Sequence, residues 1–274
     1  MADRLVLDHV ALIGEGPTLA LRLAAGQSLA VIGRASSGKS RFLGVISQAD
    51  APARGNVNLS GTVFRAAGVE AGRRVKLQSL AASGGPGANE RTADALSAAG
   101  LWQVRKSPLS DLSPGQRKAA MVLPALVANA DILVLDGLLD GLDPWTLHDV
   151  MTLLRRRMRE GQAVCIATNL PGLAAQMDIL VVLDRHQIKF GGSPSDLVRS
   201  ATVSRIEVHS ESHPAVRALA RPFEVTITEA EGVLRMEANE GQQLAAKMLL
   251  EGYGDVKFIL LSQPTVESAL LALL

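Results

Sequence analysis

Gly33-Arg34-Ala35-Ser36-Ser37-Gly38-Lys39-Ser40 follows a short apolar run, Ser28–Ile32, and precedes a helical pattern that continues to about Gln48. The eight residues fit the spacing G-x-x-x-x-G-K-[ST], with a buried strand before and a helix after. Glycines at both ends let the backbone curl until successive N–H groups, those of Ser36 and Ser37 among them, face one anion. The positive end of the following helix adds to that field. Lys39 then supplies a compact charge for the β- and γ-phosphates, and the Ser40 hydroxyl supplies a hard oxygen for Mg²⁺. The stretch therefore predicts an α/β protein that binds a nucleotide triphosphate.

Working outward, Ile132-Leu133-Val134-Leu135 is a second buried strand, and it ends in Asp136. A carboxylate at the C-terminal tip of a buried strand lies where ligands bind in open α/β sheets, so Asp136 is a candidate Mg²⁺ partner. Residues 4–13 read as a strand, Asn56–Phe64 as hairpin strands around Ser60-Gly61, and Val75–Leu77 as a further short strand. From about 79 to 127 the pattern turns helical, with loops such as Ala82–Gly87, and suggests an inserted helical subdomain. A helix from Pro144 to about Glu160 and buried strands at Ala163–Ala167 and Ile179–Leu183 complete a mostly parallel sheet covered on both faces. From residue 201 the alternation changes, and the order of strands and helices to 274 approaches the split βαβ pattern of a small α+β unit. The expected domains are thus 1–200 and 201–274.

Composition bounds the function. The 274 residues are 47% apolar and only 3% aromatic, so the core is built from Leu, Val, Ile and Ala. A net charge of +1 gives no global electrostatic footprint for nucleic acid. Arg155, Arg156, Arg157 and Arg159 cluster on a helical stretch and read as a solvated face. The single cysteine, Cys165, excludes an internal disulfide and a cysteine-built metal site, and it lies in a buried strand. No window reaches the ~18 uninterrupted apolar residues of a spanning helix, so the expectation is a cytoplasmic chain that meets the membrane only through partners.

Between the two nucleotide motifs, Leu112-Ser113-Pro114-Gly115-Gln116-Arg117 resembles the Leu-Ser-Gly-Gly-Gln signature of ATP-binding-cassette (ABC) proteins. In physical terms it is a helix start, with Ser113 as N-cap and proline at the first helical position. Further elements resemble the family in the same order. Gln78 is similar to the glutamine that touches Mg²⁺ and links the site to a transmembrane partner. Asp140-Gly141-Leu142-Asp143-Pro144 is similar to the loop that crosses the dimer interface. Asp184 to Gly192 and Pro194 resemble the turn that closes the core domain. The resemblance covers roughly residues 4–200 and implies an ATP-binding subunit using ATP and Mg²⁺ through Gly33, Ser36, Ser37, Gly38, Lys39, Ser40, Gln78 and Asp136. Metal contacts fall to Ser40, Gln78 and Asp136, and Ser113, Gly115 and Gln116 serve a neighbouring subunit's nucleotide. The implied partners are a transmembrane permease and a second ABC subunit, at the inner face of the membrane and without nucleic acid. The tail from 201, ending in Pro264-Thr265-Val266-Glu267, resembles the accessory domain of exporter-type subunits.

The sequence also departs from the family. The glutamate that follows the strand-end aspartate is replaced by Gly137, and the switch histidine by Asn169. Loss of a general base costs typically ~10²–10⁴-fold in rate. Asparagine donates a hydrogen bond but carries no charge. Residues 10–20 contain no aromatic to stack on adenine, and Ser36 stands where the family's loop has a glycine. Asp140 is a substitute candidate for the base, provided it comes within ~3 Å of the attacking water. No catalytic residue is intact on this reading, while the signature keeps Ser113, Gly115 and Gln116. The implied arrangement pairs this chain with a different, competent subunit. The alternative is a regulatory or scaffold subunit that holds ATP as a structural ligand.

Overall fold

A computed structural model of the chain describes residues 2–67, 75–82, 88–201, 204–252, 256–262 and 264–274. The loop expected at Ala82–Gly87 lies, beyond its first residue, outside them. The chain divides into two compact units after Pro194. The first runs β1 (Asp3–Ala11), β2 (Leu19–Ala24), β3 (Ser28–Ile32), α1 (Lys39–Ile46), β4 (Arg54–Leu59), β5 (Val63–Ala67), α2 (Leu77–Ala82), α3 (Ala88–Ala98), α4 (Pro114–Val127), β6 (Ile132–Asp136), α5 (Pro144–Arg159), β7 (Ala163–Thr168), α6 (Pro171–Ala174), β8 (Ile179–Asp184) and β9 (Gln187–Gly192).

The six-stranded sheet has the order β5-β6-β7-β3-β8-β9. Its pairs are parallel except β8 with β9. Strands buried on both faces need no alternation, which is why Ser28–Ile32 and Ala163–Thr168 are buried throughout. The α1 residues Phe42, Leu43, Val45 and Ile46 join the same core as Leu29, Val31, Ile132, Val134 and Val181. That packing fixes the loop between β3 and α1, because both of its ends are anchored. Cys165 lies in this core, and burial pushes its thiol up to about 12. This is an α/β P-loop fold with a mixed, mostly parallel sheet.

A separate three-stranded antiparallel sheet, β2-β1-β4, closes one side. Its strand β2 went unread in the sequence, although Leu19, Leu21 and Leu23 alternate, and β9 was read only as a turn. The expected hairpin at Asn56–Phe64 does not form. β4 pairs antiparallel with β1, whereas β5 pairs in parallel with β6. Two local features separate them: Gly61 takes φ 106°, and the Asp131 carboxylate accepts from the Thr62 backbone N–H at 2.8 Å and from its hydroxyl at 3.0 Å. These bonds hold Asp131 well below the usual aspartate range. The strand expected at Val75–Leu77 is a single bridge, Lys76 to Pro108, followed at once by α2.

The arginine cluster on α5 also differs from expectation. Arg156 and Arg159 are exposed, but Arg157 is only 7% exposed. It continues the apolar stripe of Val150, Met151, Leu153 and Leu154 at helical spacing. Among the described residues no helix is long and apolar enough to cross a membrane.

The second unit holds α7 (Pro194–Ala201), β10 (Ser204–Ser210), α8 (His213–Ala220), β11 (Val225–Ala230), β12 (Val233–Ala238), α9 (Gly241–Glu251), β13 (Val256–Ser262) and α10 (Val266–Leu273). Its sheet, β11-β12-β10-β13, is antiparallel throughout. This is the strand order of a split βαβ unit. Ile206, Val208, Leu234 and Met236 point to one face and pack with Val216, Leu244 and Met248 of the two helices.

Candidate functional site

The loop between β3 and α1 is shaped by glycines that no other residue could replace. A Cβ on Gly33 would lie 2.1 Å from the Leu183 carbonyl oxygen and 2.6 Å from Ser37 Oγ. Gly38 takes φ 102°, and a Cβ there would lie 2.7 Å from His186 Nδ1. Ser36 sits at φ 60°, the left-handed region that costs an L-residue roughly 1–2 kcal/mol. The hairpin joining β8 and β9 braces the loop, with the His186 N–H donating to the Ser37 carbonyl at 2.8 Å.

A cleft of about 490 Å³ opens on this loop, lined by residues 36–41 together with Asp136, Gly137, Asp140, Asn169 and His186. Lys39 Nζ donates to the carbonyls of Gly33 at 2.7 Å and Arg34 at 2.8 Å. Burial pushes its pKa below the ordinary lysine value, opposed by the charges of Asp140 and Asp136. The Ser40 hydroxyl donates to Asp136 Oδ1 at 2.9 Å, so the helix start and the strand end meet. Gly33, Ser36, Ser37, Gly38, Lys39, Ser40 and Asp136 thus form one cluster.

Nucleotide and Mg²⁺ fit these residues. The cradle is one that side chains would fill, and among the described residues the Ser37 hydroxyl buried in it has no partner. Ser40 and Asp136 converge as hard oxygen donors of the type Mg²⁺ takes. Among the described residues there is no group of three or more His, Cys, Asp or Glu able to hold a metal by itself. A magnesium ion here would therefore draw the rest of its shell from phosphate oxygens and water.

Gln78 is not brought to this site. It is exposed on α2 and lies outside the cleft lining, because the backbone at Val75–Leu77 turns into a helix there instead of extending along the sheet. The polar side chain that does reach Asp136 from the neighbouring strand is Arg65. Its Nη2 lies 3.1 Å from Asp136 Oδ2 and donates to the Ser40 carbonyl at 3.0 Å. Sequence reading missed it, and the visible signal was one charge inside the otherwise apolar Val63–Ala67.

The remaining positions are explicit. Gly137 lies in the cleft at φ 69°, and a Cβ there would meet nothing within 4 Å. Asp140 reaches the cleft with its carboxylate committed: one oxygen accepts from the Thr168 hydroxyl, the other from the Asn169 N–H at 2.7 Å. The Asn169 side chain is exposed. The signature segment opens α4 as a capping box. Gln116 N–H donates to Ser113 Oγ at 3.2 Å and Ser113 N–H to Gln116 Oε1 at 2.9 Å. Ser113, Pro114 and Gly115 are exposed, and nothing stands within 4 Å of a Cβ on Gly115. Replacing Ser113 by alanine should lower stability by about 1 kcal/mol, read as a shift of the denaturation midpoint with unchanged slope.

Comparison with known proteins agrees with this geometry. Residues 18–139, which hold the phosphate loop, the signature segment and Asp136, match the ABC transporter family model. The chain is 28% identical over 150 residues to a Nod factor export ATP-binding protein I of Ralstonia nicotianae, covering 54% of this chain and 47% of that protein. It is 26% identical over 215 residues to the arginine transport ATP-binding protein ArtM of Bacillus subtilis, covering 68% of this chain and 88% of that one. An energy-coupling factor transporter ATP-binding protein of Carboxydothermus hydrogenoformans is 33% identical over 108 residues, 39% of this chain and 40% of its own length. Among solved structures, an ATP-binding subunit of an ABC transporter superposes with a TM-score of 0.62 at 18% identity, covering 72% of this chain and 92% of its own. An ABC transporter cassette in its ADP conformation gives 0.59 at 18% identity, with 72% and 93% covered. Residues 18–139 are thus similar to the ATP-binding domains of ABC transporters, and the fold is that of ABC ATPases. ABC domains of this kind bind ATP, typically with Mg²⁺.

Proposed function

We propose that this chain is the ATP-binding subunit of an ABC transport complex whose own site binds Mg-ATP with little hydrolysis, while its signature helix completes the site of a second, competent subunit. The observation that carries this reading is Gly137. It lines the cleft without a side chain, and the cleft's other carboxylate besides Asp136, Asp140, is held by Thr168 and Asn169. The signature helix start, by contrast, is fully capped and exposed.

In this role Gly33–Ser40 cradles the phosphates through backbone N–H groups, Lys39 exchanges its loop carbonyls for phosphate oxygens, and Ser40 with Asp136 holds the metal. Bound Mg²⁺ would neutralise phosphate charge and polarise the phosphoryl group. Closure of two cassettes around nucleotide shifts the membrane partner between states by differential affinity. The chain would sit at the cytoplasmic face through a permease subunit, with the unit from Ser195 onward as an accessory domain of the exporter type.

The test is a pair of substitutions in the assembled complex. Ser113→Arg should abolish turnover, because it blocks the partner's site. Lys39→Ala should cause a milder loss, because it disables only the impaired site. Equal losses would refute the asymmetric arrangement. A second reading, a regulatory subunit with ATP as a fixed ligand, draws on the Arg65 contact, which neutralises Asp136 before any metal arrives. Very slow nucleotide exchange without a partner would favour it.

A further inference from the structure

A second cavity, of about 320 Å³, lies at the end of the sheet opposite the phosphate loop, against the segments that lead into β5, β6 and β7. Five buried side-chain polar atoms lack a partner among the described residues, and three of them belong to residues lining this cavity: Arg4 Nε, Arg157 Nη1 and Gln162 Oε1. Leaving such an atom unmet is costly, most of all on a charged group. Their concentration in one place therefore calls for a ligand.

The charges around them are unequal. Arg4 is spent on Asp131 at 2.9 Å. Glu160 is engaged by Arg156 at 3.5 Å. Arg91 donates to the neutral amide of Asn129 at 2.8 Å, and among the described residues no carboxylate is within ion-pair distance of Arg157. Two guanidinium groups thus share one cavity with no carboxylate paired to either among the described residues, and Glu160 and Asp94 offset the Arg157 charge only in part. Burial and then the nearby Arg91 charge lower the Arg157 pKa to about 10, opposed by Glu160 and Asp94, which leaves it charged at neutral pH.

We propose that this cavity binds a small phosphate-type anion. Its oxygens accept from Arg4 Nε and Arg157 Nη1, its charge is shared by Arg157 and Arg91, and a protonated oxygen donates to Gln162 Oε1. The volume falls at the low end of small-molecule pockets, so both inorganic phosphate and a short phosphate monoester satisfy the chemistry. The site is separate from the nucleotide cleft, since it lines the N-terminal ends of strands whose C-terminal ends carry Asp136 and Thr168.

The experiment uses the full chain carrying Lys39→Ala, which silences the phosphate loop, and calorimetric titration with inorganic phosphate and, separately, glycerol phosphate. One anion per chain is expected, and the tighter of the two identifies the source. Adding Arg91→Gln, at a partly exposed position, should weaken binding at least tenfold, and Arg157→Met should abolish it. Absence of binding by either anion to the Lys39→Ala chain would overturn the proposal and leave ordered water as the occupant. Binding unchanged by Arg91→Gln would overturn it equally. Neither result bears on nucleotide binding at the phosphate loop.

Discussion

Purified alone, the chain is expected to hold Mg-ATP while releasing phosphate about 10²–10⁴-fold more slowly than a cassette with a glutamate beside its strand-end aspartate. The argument is geometric. A general base must lie within hydrogen-bond reach of the attacking water, and Gly137 offers no side chain. Asp140 is the other carboxylate of the cleft besides Asp136, but both its oxygens already accept hydrogen bonds, from Thr168 and from the Asn169 backbone. Releasing it would leave the buried Thr168 hydroxyl without that acceptor. The site has room for a restored base, because nothing lies within 4 Å of a Cβ on residue 137. The obstacle is backbone strain at φ 69°, on the order of 1–3 kcal/mol for a non-glycine residue. Gly137→Glu should therefore raise single-turnover phosphate release while lowering the thermal midpoint. Brisk release by the unmodified chain, and its loss in Asp140→Asn, would show instead that Asp140 is the base.

What could be read in the sequence divides along a physical line. The phosphate loop was legible because its chemistry is local: eight consecutive residues, a buried strand before and a helix after. The capping box at Ser113 is local in the same sense, since its bonds span three residues, and Asp136 was legible from its place at the end of a buried strand although its bonds reach far along the chain. The misread elements depend on contacts distant in the chain. Leu59 and Val63 are close enough to suggest a hairpin, yet Asp131, far along the chain, captures Thr62 and sends the two strands into different sheets. Gln78 was assigned by analogy of order and lies on an exposed helix turn. Arg157 looked like one of four solvated arginines until the α5 stripe placed it under the surface. Arg65 carried no motif at all, and its meaning appears only when β5 pairs with β6 and sets Ala67 beside Asp136.

That pairing leads to the second large effect, on the metal dependence of nucleotide binding. Both Asp136 oxygens are engaged, Oδ1 by the Ser40 hydroxyl at 2.9 Å and Oδ2 by Arg65 at 3.1 Å. The pair is mostly buried, with the two side chains 26% and 12% exposed, so solvent screens it only in part. A magnesium ion must therefore draw Asp136 away from a cation already in place, and a nucleotide without metal meets an aspartate whose charge is already compensated. Both effects flatten the difference between metal-bound and metal-free nucleotide. Arg65→Gln removes the compensation. The exposed charge of Asp136 then repels bare triphosphate and favours the metal-bound form. The ratio of affinities measured in Mg²⁺ and in EDTA should rise by about tenfold or more, in the range for truncating one partner of a buried charge pair. Equilibrium titration with a fluorescent ATP analogue reads it directly, without any turnover. The same ratio in Arg65→Gln as in the unmodified chain would mean that Arg65 merely packs against β6, and that Asp136 binds its metal as though the guanidinium were not there.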